Sequence, residues 1–229
     1  MDNIGLVYPR SVKEGIQTGD VIGFDSGSLI WHYCGFAHIM GNVSEKELGE
    51  IYRLMAKGSR RLVLFTDNND IISFFKNKGC KADLRYFYRH SGVLPDPASL
   101  LPDGYSFAEM DRDIIGRISG RITPAFSWDD TERFLKYGKG FCVMYDGEPV
   151  SWAFTAAVSS TEEDIGTETV ESHRRKGLAA AAAAKTAEYI IACGKAPVWA
   201  CHCGNAGSQK TAAKIGFVKD TGCTVISMA

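Results

Sequence analysis

The sequence predicts an α/β protein in which a mixed sheet is flanked by helices, and three observations carry that prediction. The apolar period switches repeatedly between two and about 3.6 along the chain, which marks alternating strands and helices. One stretch, residues 92–103, holds three prolines and ends against Gly104, so no regular element crosses it. The order βαβαβ read before that break recurs as the last five elements after it. The break therefore divides the chain into an N-terminal α/β region, 1–91, a linker, 92–103, and a C-terminal domain, 104–229.

In the N-terminal region, Leu29 to Met40 reads as extended chain. Ser44 stands three residues before Glu47, the spacing of a capping box, and opens a helix to Lys57. Arg61 to Thr66 reads as a buried strand, Asn69 to Lys78 as a helix and Ala82 to His90 as a strand. Beyond the linker, Tyr105 to Met110 alternates as a strand, and Asp111 caps a short helix carrying Ile114, Ile115 and Ile118. A second helix is expected behind Ser127, whose spacing to Asp130 also resembles a capping box, and runs through Phe134 to Tyr137. The pair Asp146-Gly147 between Phe141–Tyr145 and Glu148–Val158 predicts a hairpin, because both residues tolerate the positive φ of a type I′ turn. A strand from Ile165 to Val170 leads through a basic turn into an Ala-rich helix that ends near Cys193-Gly194. Val198 to His202, Ala206 to Ile215 and Phe217 to Ser227 close the chain as strand, helix and strand. The repeat extends to a local likeness between Phe75-Lys76-Asn77-Lys78-Gly79-Cys80 and Ala213-Lys214-Ile215-Gly216-Phe217, although βαβαβ is common enough to recur by chance. Where the second copy has its basic turn, the first has Met40-Gly41-Asn42-Val43-Ser44, without positive charge.

Composition excludes several functional classes. With 26 basic and 27 acidic residues and 45% apolar residues, the chain can build a substantial core but offers no global field for nucleic acid or an anionic membrane. Met1 to Asp20 lacks an apolar run and no segment approaches a membrane span, so a soluble, cytoplasmic protein is expected. Seven scattered cysteines without paired C-x-x-C spacing suit reduced thiols.

The candidate site is the turn Arg174-Arg175-Lys176-Gly177-Leu178-Ala179. A helix start exposes unpaired N–H groups and the positive end of its dipole, and three cations reinforce both. Gly177 lets phosphate oxygens approach without a Cβ in the way, and Ala179 keeps the first turn thin. Spacing alone leaves an ordinary solvated basic turn equally open. Neither the G-x-x-x-x-G-K-[ST] string of a P-loop nor the G-x-G-x-x-G of a dinucleotide fingerprint is present.

The string Arg174-x-x-Gly177-x-Ala179 between a strand and a helix resembles the [QR]-x-x-G-x-[GA] signature of the GNAT superfamily of N-acetyltransferases. Asn205 opening the next helix and Lys214-Ile215-Gly216-Phe217 ending it are similar to further features of that superfamily. Residues 164–179 and 197–203 look like the branch that includes zwittermicin A resistance proteins. The resemblance spans about 104–229 and implies a GNAT-like mixed, splayed sheet, preceded by a degenerate half-GNAT-like βαβαβ region. It implies an acetyl-CoA co-substrate whose pyrophosphate lies on the backbone of Arg174, Arg175, Lys176, Gly177, Leu178 and Ala179. The pantetheine would pair with Thr169 and Val170, Asn205 would approach the pantetheine, and Ser208 or Lys210 would meet the phosphates. Asn205 reads equally well as a plain helix N-cap.

Acetyl transfer to a primary amine of a small molecule, by direct attack on the thioester, needs a neutral nucleophile and a donor for the developing oxyanion. Glu168, on the strand before the turn, is the first candidate for taking the proton, with Glu163 and Glu171 behind it; a plain strand-edge or surface charge is the alternative reading of each. The backbone N–H near Val170 is the candidate oxyanion donor. The tyrosine that many members place four residues before the glycine of K-x-G-F is Ala212 here, which leaves three routes open: His202 or water protonates the coenzyme A thiolate, or the thiolate leaves unprotonated. A coenzyme A-binding regulator without turnover stays open on that account. Cys201-His202-Cys203 does not make a metal site, because strand alternation turns His202 away from both cysteines. Trp128, Tyr137, Tyr145 and Trp152 are candidates for lining the acceptor side, with plain core packing the alternative reading of each.

Overall fold

Alternation along eleven strands and a few well-capped helices resolve, in the computed structural model, into one continuous sheet that runs across the expected linker. The structure describes residues 6–229; the first five positions of the N-terminal region lie outside the described residues. The first element among the described residues is α1 (Val7–Lys13), for which the sequence carries no clear signal, followed by β1 (Gly19–Gly23), β2 (Gly27–His32) and β3 (Phe36–Gly41). The expected extended stretch 29–40 is thus two strands of a hairpin rather than one. Next come α2 (Glu45–Lys57), β4 (Val63–Thr66), α3 (Asn69–Asn77) and β5 (Lys81–His90).

After the break follow β6 (Ser106–Glu109), α4 (Arg112–Arg117), α5 (Thr131–Tyr137), β7 (Gly140–Tyr145), β8 (Glu148–Val158) and β9 (Glu162–Thr169). Asp111 caps α4 through the Ile114 N–H. The cap of α5 is Asp130, which accepts from Glu132 and Arg133, so the helix starts beyond the position inferred from Ser127. Asp146 and Gly147 take φ of 49° and 78°, as the hairpin turn requires. The last elements are α6 (Leu178–Ala192), β10 (Ala196–His202), α7 (Ala206–Lys214) and β11 (Phe217–Ser227).

The sheet order is β1-β2-β3-β4-β11-β5-β10-β9-β8-β7-β6. Read inward from either end, it has the same plan: a hairpin set, one parallel neighbour, the last strand of the other half, then the half's own last strand. The parallel pairs are β3·β4 and β9·β10. Strand β5 lies between β10 and β11, and β11 lies between β4 and β5, so each half lends its final strand to the other. Recurrence therefore covers βββαβαβ in each half, longer than the βαβαβ read from the sequence.

Helix α6 packs its alanine face, with Leu178 and Ile190, on a core that includes Ala153, Ile165, Trp199 and Phe217. The opposite face carries Tyr8, Phe36, Phe65, Phe87 and Val198. A bulge at Ala156 in β8 leaves backbone groups without ladder partners, and the buried Gln17 amide satisfies them by donating to the Ala156 carbonyl and accepting from the Val158 N–H. No helix among the described residues is long and apolar enough to cross a membrane.

Candidate active site

Strands β9 and β10 pair in parallel only at Ala196↔Glu162, Pro197↔Glu163 and Val198↔Asp164, and then diverge. The sheet opens there into a V whose apex is Asp164 and Val198. In the β8·β9 ladder the N–H of Val170 donates to the Val150 carbonyl at 3.0 Å. Alternation then directs the backbone groups of Glu168 and Gly166 toward β8 as well, and those of Thr169, Thr167 and Ile165 into the gap. This corrects the sequence reading of Val170: its N–H is already spent in the ladder and is not available to an oxyanion. Thr169 has the expected orientation, and Thr167, not singled out from the sequence, shares it.

Past Thr169, Glu171–His173 form a single 3₁₀ turn, Arg175 takes a φ of 65°, and Gly177 is the N-cap of α6 at a φ of 86°. No side chain caps this helix and its first turn holds no acid. The N–H groups of Leu178 and Ala179 have no helical acceptor, and those of Arg175, Lys176 and Gly177 make no turn bond among the described residues. Leu178 itself is buried in the core, so its backbone alone faces the turn. A Cβ at Gly177 would lie 3.3 Å from the Lys214 Nζ, which brings a fourth cation to the turn from the end of α7. Arg174 Nε donates to the Thr169 carbonyl at 3.2 Å, and Lys176 Nζ to the Tyr105 hydroxyl, which also meets His173 Nδ1 at 3.0 Å. The cradle fits a pyrophosphate: donors converge on it, four cations surround it, and the one position where a side chain would intrude is glycine.

Asn205 caps α7 by accepting from the Ser208 N–H at 3.0 Å, and the Ser208 hydroxyl accepts from Trp199 Nε1 at 3.0 Å. Both residues thus have local partners on the arm of the V opposite the turn.

Glu168 and His202 stand four residues beyond the apex on the two arms, so alternation puts both on the face that carries Asp164. The Glu168 carboxylate accepts the Ile122 N–H at 2.6 Å and lies against Gly120, where a Cβ would come within 2.6 Å of it. Its observed role is to anchor the loop 118–123. His202 is exposed; its Nδ1 accepts the Gly204 N–H, and its Nε2 is 3.9 Å from Asp83. Of the other acids, Glu163 is buried and bound to Lys195 at 2.8 Å, while Glu171 is exposed in the 3₁₀ turn. Trp128 and Trp152 are buried core residues, bonded to the carbonyls of Thr155 and Ile122, so they are corrected as acceptor-lining candidates. Tyr145 lies beside Tyr105 and His173 on the turn side.

The residue that sequence reasoning missed is Asp164. Its carboxylate is buried at the apex and accepts from the Tyr8 hydroxyl at 2.9 Å. Burial pushes its pKa up to about 6, against the opposing pull of Arg85 and the Tyr8 hydrogen bond. It lines a pocket with Tyr8, Phe36, Phe65, Arg85 and Phe87. The signal that could have found it is the run Glu162-Glu163-Asp164 at the start of a strand flanked by core sequence: acids there need partners.

A family model described as GNAT acetyltransferase matches residues 11–226 of the chain. An uncharacterized N-acetyltransferase of Bacillus subtilis, YdfB, is 27% identical over 213 residues, which cover 88% of this chain and 81% of that protein. Among solved structures, a GCN5-related N-acetyltransferase-like protein from Streptococcus suis superposes with a TM-score of 0.77 at 22% identity, over 94% of this chain and 90% of the other. A tandem GNAT protein from the clavulanic acid biosynthesis pathway, solved without AcCoA, superposes with a TM-score of 0.58 at 13% identity, over 88% of this chain and 78% of the other.

Proposed function

The chain belongs to the GNAT acetyltransferase family, and on that premise we propose that it transfers an acetyl group from acetyl-CoA to a primary amine of a small molecule. The observation that carries the reading is the uncapped, cation-ringed start of α6 opening onto the splayed strands. In this reading the N–H groups of Arg175 to Ala179 and the charges of Arg174, Arg175, Lys176 and Lys214 hold the pyrophosphate. The edge of Thr169 and Thr167 pairs with the pantetheine, which brings the thioester toward the apex. Ser208 and Asn205 flank it from the other arm. The N-terminal half is then a degenerate copy that closes the acceptor side; the tandem arrangement named for the clavulanic acid pathway protein supports this.

The amine nitrogen attacks the thioester carbonyl, the C–N bond forms, the C–S bond breaks, and one proton leaves the nitrogen. Asp164 takes that proton, because it is the acid at the apex and its pKa near 6 keeps it ionised yet basic at neutral pH. The N–H of Thr167 or Ile165, which faces the gap, donates to the oxyanion. His202, on the opposite arm, returns a proton to the thiolate. Glu168 positions the loop 118–123.

Two measurements on the same sample test this. Calorimetry with coenzyme A should give one site per chain, and acetyl-CoA with a panel of primary amines should release thiol and an acetylated amine. Absence of coenzyme A binding by folded protein overturns the reading. Binding without transfer to any amine moves it to a coenzyme A-binding regulator.

A further inference from the structure

The face of the sheet that carries Asp164 holds three arginines without an ion pair among the described residues. Arg61 Cζ lies 5.1 Å and Arg85 Cζ 5.3 Å from the centre of the Phe36 ring, so two guanidiniums flank one aromatic ring. Arg61 spends one N–H on the Cys34 carbonyl at 2.9 Å, and Arg85 one on the Ala200 carbonyl at 3.0 Å. A guanidinium has five N–H donors, so both keep most of theirs. Arg121 arrives from the other half: Glu168 holds the Ile122 N–H, and Trp152 Nε1 donates to the Ile122 carbonyl at 2.7 Å, which fixes the loop that carries Arg121, and the charge of Arg121 is felt at Arg61. Partial desolvation of the guanidinium lowers the Arg61 pKa, and the like charges of Arg121 and Arg85 add to that lowering. None of the three forms an ion pair among the described residues, although most arginines around them do, such as Arg10, Arg60, Arg89 and Arg117. The carboxylates on this face are Asp164, which is engaged by Tyr8, and Glu168, which is engaged by the Ile122 N–H.

We propose that Arg61, Arg85 and Arg121 form an anion site for the acceptor, and that the acceptor is an amine that also carries a carboxylate. The inference rests on the acetyltransferase reading given above. The phosphates of coenzyme A belong to the start of α6, which packs on the opposite face of the sheet, over Tyr88, Trp199 and Cys201. An anion on the Phe36 face therefore comes with the other substrate. Guanidiniums meet a carboxylate with paired N–H donors, and its charge relieves the mutual repulsion of three cations. Arg85 and Asp164 line the same pocket, so the anion site adjoins the apex. The split origin of the arginines, two from the N-terminal half and one from the C-terminal half, gives the degenerate copy a definite task in acceptor selection.

Matched pairs test the proposal: amino acids against the same amines lacking the carboxylate, with phosphate-bearing amines as a third arm. The carboxylated member should be acetylated with a kcat/KM at least about tenfold higher, and Arg61→Gln and Arg121→Gln should collapse that ratio, mainly through KM. Both arginines are exposed, so neither variant removes a core residue. Equal kcat/KM within pairs, a ratio that survives both substitutions, or preference for the phosphate arm overturns the carboxylate site. Should no amine be acetylated, the acetyltransferase reading fails separately. Calorimetry of the amino acids with the coenzyme A-loaded protein then decides the anion site: binding weakened by Arg61→Gln supports it, and absent or unchanged binding overturns it.

Discussion

Helices α2 and α6 occupy equivalent places in the two halves, each following the strand that forms the half's parallel pair, yet their N-termini are built in opposite ways. At α2 the Ser44 hydroxyl accepts the Glu47 N–H, and the Glu47 carboxylate accepts from the Ser44 N–H at 2.6 Å and the Asp25 N–H at 3.0 Å. Those bonds hold the Glu47 pKa below its usual value. An internal carboxylate thus fills the place where an anion would bind. At α6 the cap is Gly177, with no acid in the first turn and Lys214 close by. The two apices differ in the same sense. Register puts His38 where Asp164 stands, and His38 lies stacked on Phe65, ring centres 4.8 Å apart. One fold plan therefore has two outcomes: a half whose helix start satisfies itself and a half whose helix start has no internal partner among the described residues.

The largest effect expected from breaking this difference is at the apex. Asp164→Asn should lower kcat about a hundredfold at pH 8, the size of a general-base contribution. Because the wild-type carboxylate has its pKa raised to about 6, kcat at saturating acceptor should rise as pH passes 6, and the variant should lose that inflection. The stability sign runs the other way. An acid whose folded pKa is raised costs the fold stability once it ionises, so wild type loses stability as pH rises from near 3.8 toward 6, and the variant does not. A pH profile that keeps its inflection in the variant assigns the proton to another group.

Next in size is Gly177→Val. A β-branched residue is strained at a φ of 86° and projects toward the Lys214 ammonium, into the cradle. Coenzyme A affinity should fall at least about tenfold, or 1.4 kcal/mol, in calorimetry. Unchanged affinity would take the turn out of the site.

That turn was legible because all its parts are contiguous: three cations, a glycine and a small residue between a strand and a helix. Helix α2 was legible for the same reason, since its cap and Glu47 are three residues apart. The exchange of β5 and β11 was not, because period-two alternation names a strand without naming its neighbours. Helix α1 and strand β1 show no clear period, lying in a short stretch punctuated by Gly15, Gly19 and Gly23. Strand β9 begins three residues before the apolar alternation does, because Glu162, Glu163 and Asp164 look exposed in sequence. Each is buried against a partner from far along the chain: Arg10 for Glu162, Lys195 for Glu163, Tyr8 for Asp164.

The self-satisfied end can be tested by Ser44→Ala, which removes the hydroxyl cap and leaves the Glu47 carboxylate on the Ser44 and Asp25 N–H groups. Loss of the cap should cost about 1 kcal/mol of stability in denaturant unfolding, while coenzyme A still binds once per chain with wild-type affinity. A second coenzyme A, or a tighter first, would mean that α2 is a latent phosphate site and that the difference between the halves rests on this cap alone.

The smallest expected effect concerns Lys214, which tests whether charge or backbone dominates the open end. Its ammonium lies where a Gly177 Cβ would touch it, yet it is exposed and makes no ion pair among the described residues. A cation in that position acts through solvent, so its contribution is of the order of that between an exposed charge and a helix terminus, about 0.6 kcal/mol, and salt screens it. Lys214→Gln should therefore weaken coenzyme A about threefold at low ionic strength and less at 0.5 M salt, with no change in unfolding midpoint. The backbone N–H groups of Arg175 to Ala179 are fixed dipoles at the proposed phosphate cradle and stay in place in the variant. A loss as large as that of Gly177→Val, undiminished by salt, would show Lys214 in direct contact with a phosphate and would shift the weight of the open end from α6 to the end of α7.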